Sequence, residues 1–323
     1  NTLSPYEEHD GEFIQVNGRH FVLDGNIFYI RGVNYYPMQT PFHRFLRETP
    51  VDAFEKELDL ITEAGINSLR IFVDNEALFT CEDSVLVPIE DAFVRLDTLF
   101  QEAAERALRV IVVLNQVQDI NQYPLYDAPP YTLAQLQFII ERYKDEPYIL
   151  AWDLRDGGDI DYQDGVAEKS VILNWLFETA VLVKNIDNQH LITAGWHEDS
   201  IATVTAVDFI SLYYNADIEP FRQLAAYLTD QTEKPLFLAG VGYSTFTLDE
   251  TAQRSLLFQI LEAAELNQFA GWAIWMAFDY PLTVTCYEPN CPSEDSPLHH
   301  YGLWNTSYFP KLALDAVRYF IDN

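Results

Sequence analysis

The sequence predicts an α/β protein: a (β/α)8 TIM barrel with a short N-terminal β-hairpin plug, in a single domain over residues 1–323. Three observations predict it. Short apolar segments alternate with amphipathic helical patterns along the whole chain. Most of those segments are continuously apolar, as parallel strands buried on both faces must be. No linker-like Gly/Ser/Pro tract or repeat divides the chain. The first strand is not followed by the glycine-rich phosphate turn of a nucleotide-binding open sheet.

In chain order, "FIQVNGRHFVLDG" carries the turn pairs Asn17-Gly18 and Asp24-Gly25 and reads as hairpin strands plugging the barrel bottom. Strands follow at 28–36, 68–73, 109–116, 149–156, 190–196, 209–215, 235–242 and 271–278. Between the first two, "VDAFEKELDLITEAG" sets Phe54, Leu58 and Ile61 on one helical stripe and stops at Gly65, a C-terminal cap. Segments 89–107, 133–145, 171–185, 218–231, 251–267 and 310–321 repeat the helical period.

Composition narrows the function. With 50 acidic and 19 basic residues the net charge is −31, which repels nucleic acid and fits a solvated acidic surface. No apolar run reaches the ~18–20 residues that span a bilayer. The start, "NTLSPYEEHDG", looks like a processed end, and Asn305-Thr306-Ser307 is a glycosylation sequon. Cys286 and Cys291 bracket a short loop that a disulfide worth roughly 2 kcal/mol would close. Cys81 is left over, as a buried, reactive or chain-pairing thiol. Together these features lead us to expect a secreted or cell-surface protein.

In barrels of this kind the function sits at the C-terminal ends of the strands. Those ends carry Asn34, Tyr36, Arg70, Asp156, Tyr213, Tyr214 and Trp275. Aromatic faces beside hydrogen-bonding groups suit a sugar, whose C–H surfaces stack while its hydroxyls need polar partners.

Six segments then resemble, in order, the retaining glycoside hydrolases of the cellulase/mannanase superfamily, a (β/α)8 clan that includes family five. "FVLDGNIFYIRGVNYYP" resembles the entry into its first strand, and "ITEAGINSLRIFV" its second with the site arginine, here Arg70. "ILAWDLRDGGDID" is similar to the fourth-strand pattern A-W-(D/E)-L-x-N-E-P-D, and "KPLFLAGVGYST" to the seventh-strand pattern K-P-(I/L)-x-(I/V/L)-x-E-x-G. "GWAIWMAFD" resembles the eighth strand with its tryptophan, Trp275, and "HHYGLWNTSYFPKLAL" the run into the last helix.

The departures fall on the chemistry. The resemblance puts the general acid/base glutamate at Gly157 and the nucleophilic glutamate at Gly240. The histidine of its sixth-strand His-Tyr pair falls on Tyr213. Retaining hydrolysis needs two carboxyls about 5 Å apart, and general acid–base assistance alone is worth roughly 10²–10⁴-fold. Glycine supplies neither role. Asp156 and Asp159, with Asp74, Asp119 or Asp279 as base, are the carboxylates left for a relocated, inverting mechanism.

The expectation is therefore an exported pseudoenzyme with no catalytic residues of the family pair, no cofactor and no bound metal. It binds β-linked oligo- or polysaccharide in a groove, with Trp275 as stacking floor and Arg70, partnered by Asp156, as donor. A structural subunit of an envelope, filament or sheath, with protein partners in an extracellular assembly, is the second reading. A β-glycosidase with relocated carboxylates is the third. The Asp-rich "DLRDGGDIDYQDG" has the look of a calcium loop but lacks the closing glutamate of that pattern, and reads as a solvated acidic loop. His197, His299 and His300 read as loop or rim residues.

Overall fold

In a computed structural model, residues 3–83, 85–115, 125–127, 129–284 and 294–322 are described. Three short antiparallel strands come first: β1 (Gln15–Asn17), β2 (His20–Leu23) and β3 (Asn26–Phe28). The barrel begins with β4 (Ile30–Asn34) and β5 (Ser68–Phe72). A side hairpin, β6 (Phe79–Glu82) and β7 (Val85–Pro88), precedes the barrel strands β8 (Arg109–Val113) and β9 (Ile149–Asp153). Next come β10 (Leu191–Thr193), β11 (Gly195–Trp196), β12 (Ile210–Tyr213), β13 (Leu236–Val241) and β14 (Gly271–Ile274).

The parallel sheet runs β10-β9-β8-β5-β4-β14-β13-β12-β11. Only Ala194 separates β10 from β11, so the two ends of that order are one strand and the sheet closes. Each of the eight predicted strands is present, shortened by up to four residues at an end, where the chain leaves the ladder for the loops.

Helices Ala53–Glu63, Glu90–Glu105, Pro130–Tyr143, Lys169–Ile186, Ile218–Gln231, Glu250–Leu266 and Ala313–Asp322 form the outer layer. The link from β11 to β12 holds only a 3-10 turn at Ser200–Thr203. The helix from Ala53 ends as expected, with Gly65 in the left-handed region at φ +83°.

Alternation along the strands divides the core. Val110 and Val112 of β8 face the helices, whereas Ile111 faces inward, and Leu236 and Leu238 of β13 are outward where Phe237 and Ala239 are inward. The inner cluster is closed from below by Ile14 and Phe21. Phe21, on β2, is fully buried and meets Phe209 edge-on at 4.9 Å. The N-terminal strands are thus the expected plug. Above this apolar floor the inward positions turn polar, with Thr193 and Ser211 bonded at 2.6 Å and then Asn34, Arg70, Asp153 and Tyr213.

Candidate functional site

Arg70 organises the upper end of the barrel. It lies on β5, is 1% exposed, and spends all five N–H groups inside the protein. Nε and Nη2 donate to Asp153 Oδ2 at 3.2 and 2.6 Å, and Nη2 also reaches Asp156 Oδ1 at 3.2 Å. Nη1 donates to Asn34 Oδ1 at 3.2 Å and to the Tyr213 hydroxyl. Burial alone would lower this guanidinium's pKa, but the two aspartates outweigh it and hold the value above the usual one.

Asn34 is fully buried and equally engaged, its Nδ2 donating to the Ala239 and Ile274 carbonyls at 2.9 and 3.3 Å. Arg70 and Asn34 are therefore the base of the site. The expectation that Arg70 offers a donor to ligand is corrected, because none of its N–H groups is left.

Tyr213 covers that base. At Gly240 an added Cβ would stand 2.0 Å from Tyr213 Cε1 and 2.2 Å from Cδ1, so the ring fills the volume that a side chain at 240 would need. Its outer neighbours are His197, stacked at 5.3 Å, and Trp275, edge-on at 6.2 Å. Phe72 supports Trp275 at 5.8 Å. At Gly242 an added Cβ would lie 1.9 Å from the Trp275 carbonyl oxygen.

Gly157 answers to a different constraint. Its φ of +71° is left-handed, and it sits at the N-cap of a short helix, Gly158–Gln163. A Cβ there would be 3.7 Å from His197 Cε1, so space is available but the backbone disfavours any L side chain. Asp156 is 21% exposed at its side chain, with Oδ1 held by Arg70. Burial pushes its carboxyl above the usual value, against Arg70's pull.

The Asp-rich stretch after Asp156 is a helical turn with internal partners, not a solvated loop. Asp159 is fully buried and accepts from the His197 and Asp199 amides at 2.9 and 3.1 Å. Burial opposes ionisation there, but those bonds and the His197 ring hold the carboxyl below its usual value. Asp161 pairs with Arg155 at 2.8 Å.

Of the seven predicted groove residues, Asp156, Tyr213 and Trp275 meet at the mouth. Asn34 and Arg70 lie beneath them. Two positions are corrected. Tyr36 is 2% exposed and stacked on Phe72 at 5.2 Å, behind the wall. Tyr214 turns outward, its ring on Phe221 and its hydroxyl donating to the Asp217 carbonyl at 2.7 Å.

Of the carboxylates named as the base of a relocated mechanism, the two that are described are engaged elsewhere. Asp74 pairs with Arg47 and caps Glu76, and Asp279 pairs with Lys311 at 3.0 Å. Asp119, Cys286 and Cys291 lie outside the described residues. Cys81 is exposed on β6, so it is not buried. Asn305 Oδ1 accepts from the Ser307 and Phe309 amides in a turn.

Two functional neighbours escaped sequence reasoning. Asp153 is a carboxylate inside an otherwise apolar strand, at an inward position, and such a group requires a buried cation. That signal was available. The stacking of His197 on Tyr213 had no signal in the chain.

No protein-family model matches this chain. It is 26% identical over 265 residues to mannan endo-1,4-β-mannosidase F of Aspergillus clavatus, covering 72% of this chain and 58% of that one. It is 29% identical over 221 residues to mannan endo-1,4-β-mannosidase 1 of Arabidopsis thaliana, covering 57% and 50%. The chain thus spans about half the length of the curated relatives it matches.

Among solved structures, the endo-1,4-β-mannanase of Rhizomucor miehei superposes with a TM-score of 0.71 at 19% identity, over 96% of this chain and 99% of that one. An exo-β-1,4-mannosidase from Opitutaceae bacterium strain TAV5 gives 0.76 at 17%, over 92% and 60%. Those likenesses establish the (β/α)8 fold. With the sequence relatives, which are mannan endo-1,4-β-mannosidases, they make this chain glycoside-hydrolase-like.

Proposed function

We propose that the chain is an exported, non-catalytic glycan-binding barrel that takes β-linked oligo- or polysaccharide at its C-terminal mouth without cleaving it. One observation carries this reading: the Tyr213 ring occupies the space that a side chain at Gly240 would fill. The position at which the resemblance expects a nucleophile is therefore closed by packing as well as by sequence. The left-handed backbone at Gly157 supports the same conclusion for the acid/base position. Among the described residues, the mouth carries an aromatic surface of Trp275, Tyr213 and His197 beside the Asp156 carboxylate, which suits a sugar ring.

Calorimetric titration with β-1,4-linked manno-, gluco- and xylo-oligosaccharides, followed by product analysis, tests it. The expected result is binding with the oligosaccharide intact. Cleaved sugar, with turnover lost in Asp156→Asn, would replace this reading with a relocated active site. Absence of binding across the panel would favour the assembly reading. The exposed Cys81 thiol supports that alternative, and a reducible dimer lost in Cys81→Ser is its signature.

A further inference from the structure

The charge inventory of the mouth deepens the glycan reading, on which this inference rests. Arg70 is the guanidinium beneath the Tyr213 ring, and its five N–H groups are consumed by Asp153, Asp156, Asn34 and Tyr213, while the His197 ring beside it stands over Asp159. Asn34 is closed in the same way. Asp159, beneath His197, has both oxygens on backbone amides.

Asp156 is different. Its Oδ1 is fixed by Arg70, while its Oδ2 has no hydrogen-bond donor among the described residues and its side chain is 21% exposed. Around Arg70 stand two carboxylates, Asp153 and Asp156, for one guanidinium. The mouth therefore presents a pre-oriented acceptor with surplus negative charge, beside Tyr213, whose hydroxyl shares Arg70 with it, and Trp275, which packs edge-on against that ring. An anionic sugar finds no free guanidinium here, and a neutral one supplies only hydroxyl donors.

We infer that the preferred ligand is a β-linked glycan bearing protonated amino groups, a glucosamine-type polymer rather than a neutral hexose polymer, with Asp156 as the residue that selects the ammonium. A charge-assisted hydrogen bond from ammonium to carboxylate is shorter and roughly twice as strong as one from a hydroxyl. Arg70 acts on the ligand only through Asp156, as a positioning residue.

The test compares β-1,4-linked glucosamine hexamers, their fully N-acetylated counterparts and β-1,4-mannohexaose by calorimetry at about pH 5.5, because the flanking acetal and hydroxyl oxygens hold a sugar amine's pKa below the ~7.7–8.0 of an α-amino group. The expected order is the amine hexamer at least about tenfold tighter than either neutral hexamer, equivalent to ~1.4 kcal/mol. N-acetylation removes the ligand's charge without touching the protein, so this comparison stands whatever any variant does. In Asp156→Asn, which keeps the shape of the side chain, the preference is expected to collapse while mannohexaose still binds.

Equal affinity for all three hexamers overturns the inference and leaves the groove reading intact. A preference that survives in Asp156→Asn, matched by equal binding of the linear amine spermine, also overturns it. That result assigns the attraction to the −31 net charge of the whole chain. No binding of any hexamer overturns the groove reading and this inference together.

Discussion

Gly240→Ala is the most direct probe of the closed site. The three atoms nearest an added Cβ all belong to the Tyr213 ring, at 2.0, 2.2 and 3.0 Å. The ring cannot simply retreat, since its hydroxyl is held by Arg70 and its face by His197 at 5.3 Å. Forcing a methyl into a packed site costs about 1–3 kcal/mol. Restricting the unfolded chain at a former glycine offsets about 0.4–1 kcal/mol of that. Gly240→Ala should therefore destabilise the protein by roughly 0.5–2 kcal/mol net.

In a Tyr213→Ala background the obstructing ring is absent, and the same substitution should be neutral or slightly stabilising. The coupling between the two sites is then about 1–3 kcal/mol, well above the ~0.5 kcal/mol scatter of independent sites. Urea unfolding followed by tryptophan fluorescence, on the wild type, both single variants and the double variant, measures it. Additive costs, or a Gly240→Ala protein as stable as wild type, would refute the claim that Tyr213 fills the slot.

The remaining predictions concern binding, acidity and backbone. Trp275→Ala should weaken glycan binding at least about tenfold, ~1.4 kcal/mol; unchanged affinity sinks the stacking role. Asp187 is buried, and burial pushes its carboxyl up, but bonds from His190 and Trp152 outweigh this and hold it at about 2. Its contribution, about 2 kcal/mol, is present above the ordinary carboxylate value and lost as pH falls through the folded one. The stability gap between wild type and Asp187→Asn should accordingly narrow from pH 5 to pH 2; a constant gap would exclude the linkage.

Glu57 runs the other way. Burial lifts it to about 7 although Tyr35, Tyr308 and the Met38 amide donate to it. Its contribution of roughly 3 kcal/mol is present below its unfolded value and lost as pH rises through about 7. Glu57→Gln should flatten the decline in stability between pH 5 and pH 8, and parallel curves would contradict this. Gly157→Ala, placed at φ +71°, should cost about 1–2 kcal/mol by thermal unfolding; a neutral result would mean that the left-handed turn is not needed.

The barrel was legible because its strands are bounded apolar runs and its helices keep a 3.6-residue period. The N-terminal hairpin as plug followed from its turn pairs, whereas Phe21 as its buried anchor emerges from the packing. Side-chain direction was harder to read. Tyr36 and Tyr214 look like groove residues by position. Tyr214 follows the inward-facing Tyr213, and the alternation of an extended chain turns it away. Tyr36 follows Tyr35, whose hydroxyl reaches Glu57 on an outer helix, and it is removed from the groove by its stack on Phe72. The helical turn at Gly158–Gln163 was hidden because its acidic residues look solvated in sequence, whereas Asp159 and Asp161 are held by the His197 and Asp199 amides and by Arg155. The hairpin of β6 and β7 is only four residues a side, too short to stand out from a loop.

The residues at the mouth form one interlocked set, centred on Arg70. A buried guanidinium stripped of an anionic neighbour is costly, because its charge stays desolvated without compensation. The pattern this chain resembles carries an amide at position 156 and a carboxylate at position 240, whereas here Asp156 bonds Arg70 at 3.2 Å and Gly240 carries no charge. Where the pattern carries its negative charge on one strand, this chain carries it on another. The Tyr213 hydroxyl takes the remaining Nη1 proton, and its ring needs the missing side chain at 240 in order to fit. Glutamate placed at 240 alone would meet the Tyr213 ring and become a third carboxylate beside one arginine. The site is thus held in its present form by packing and charge balance acting together, which is why Asp156, Tyr213 and Gly240 have to be understood as a unit.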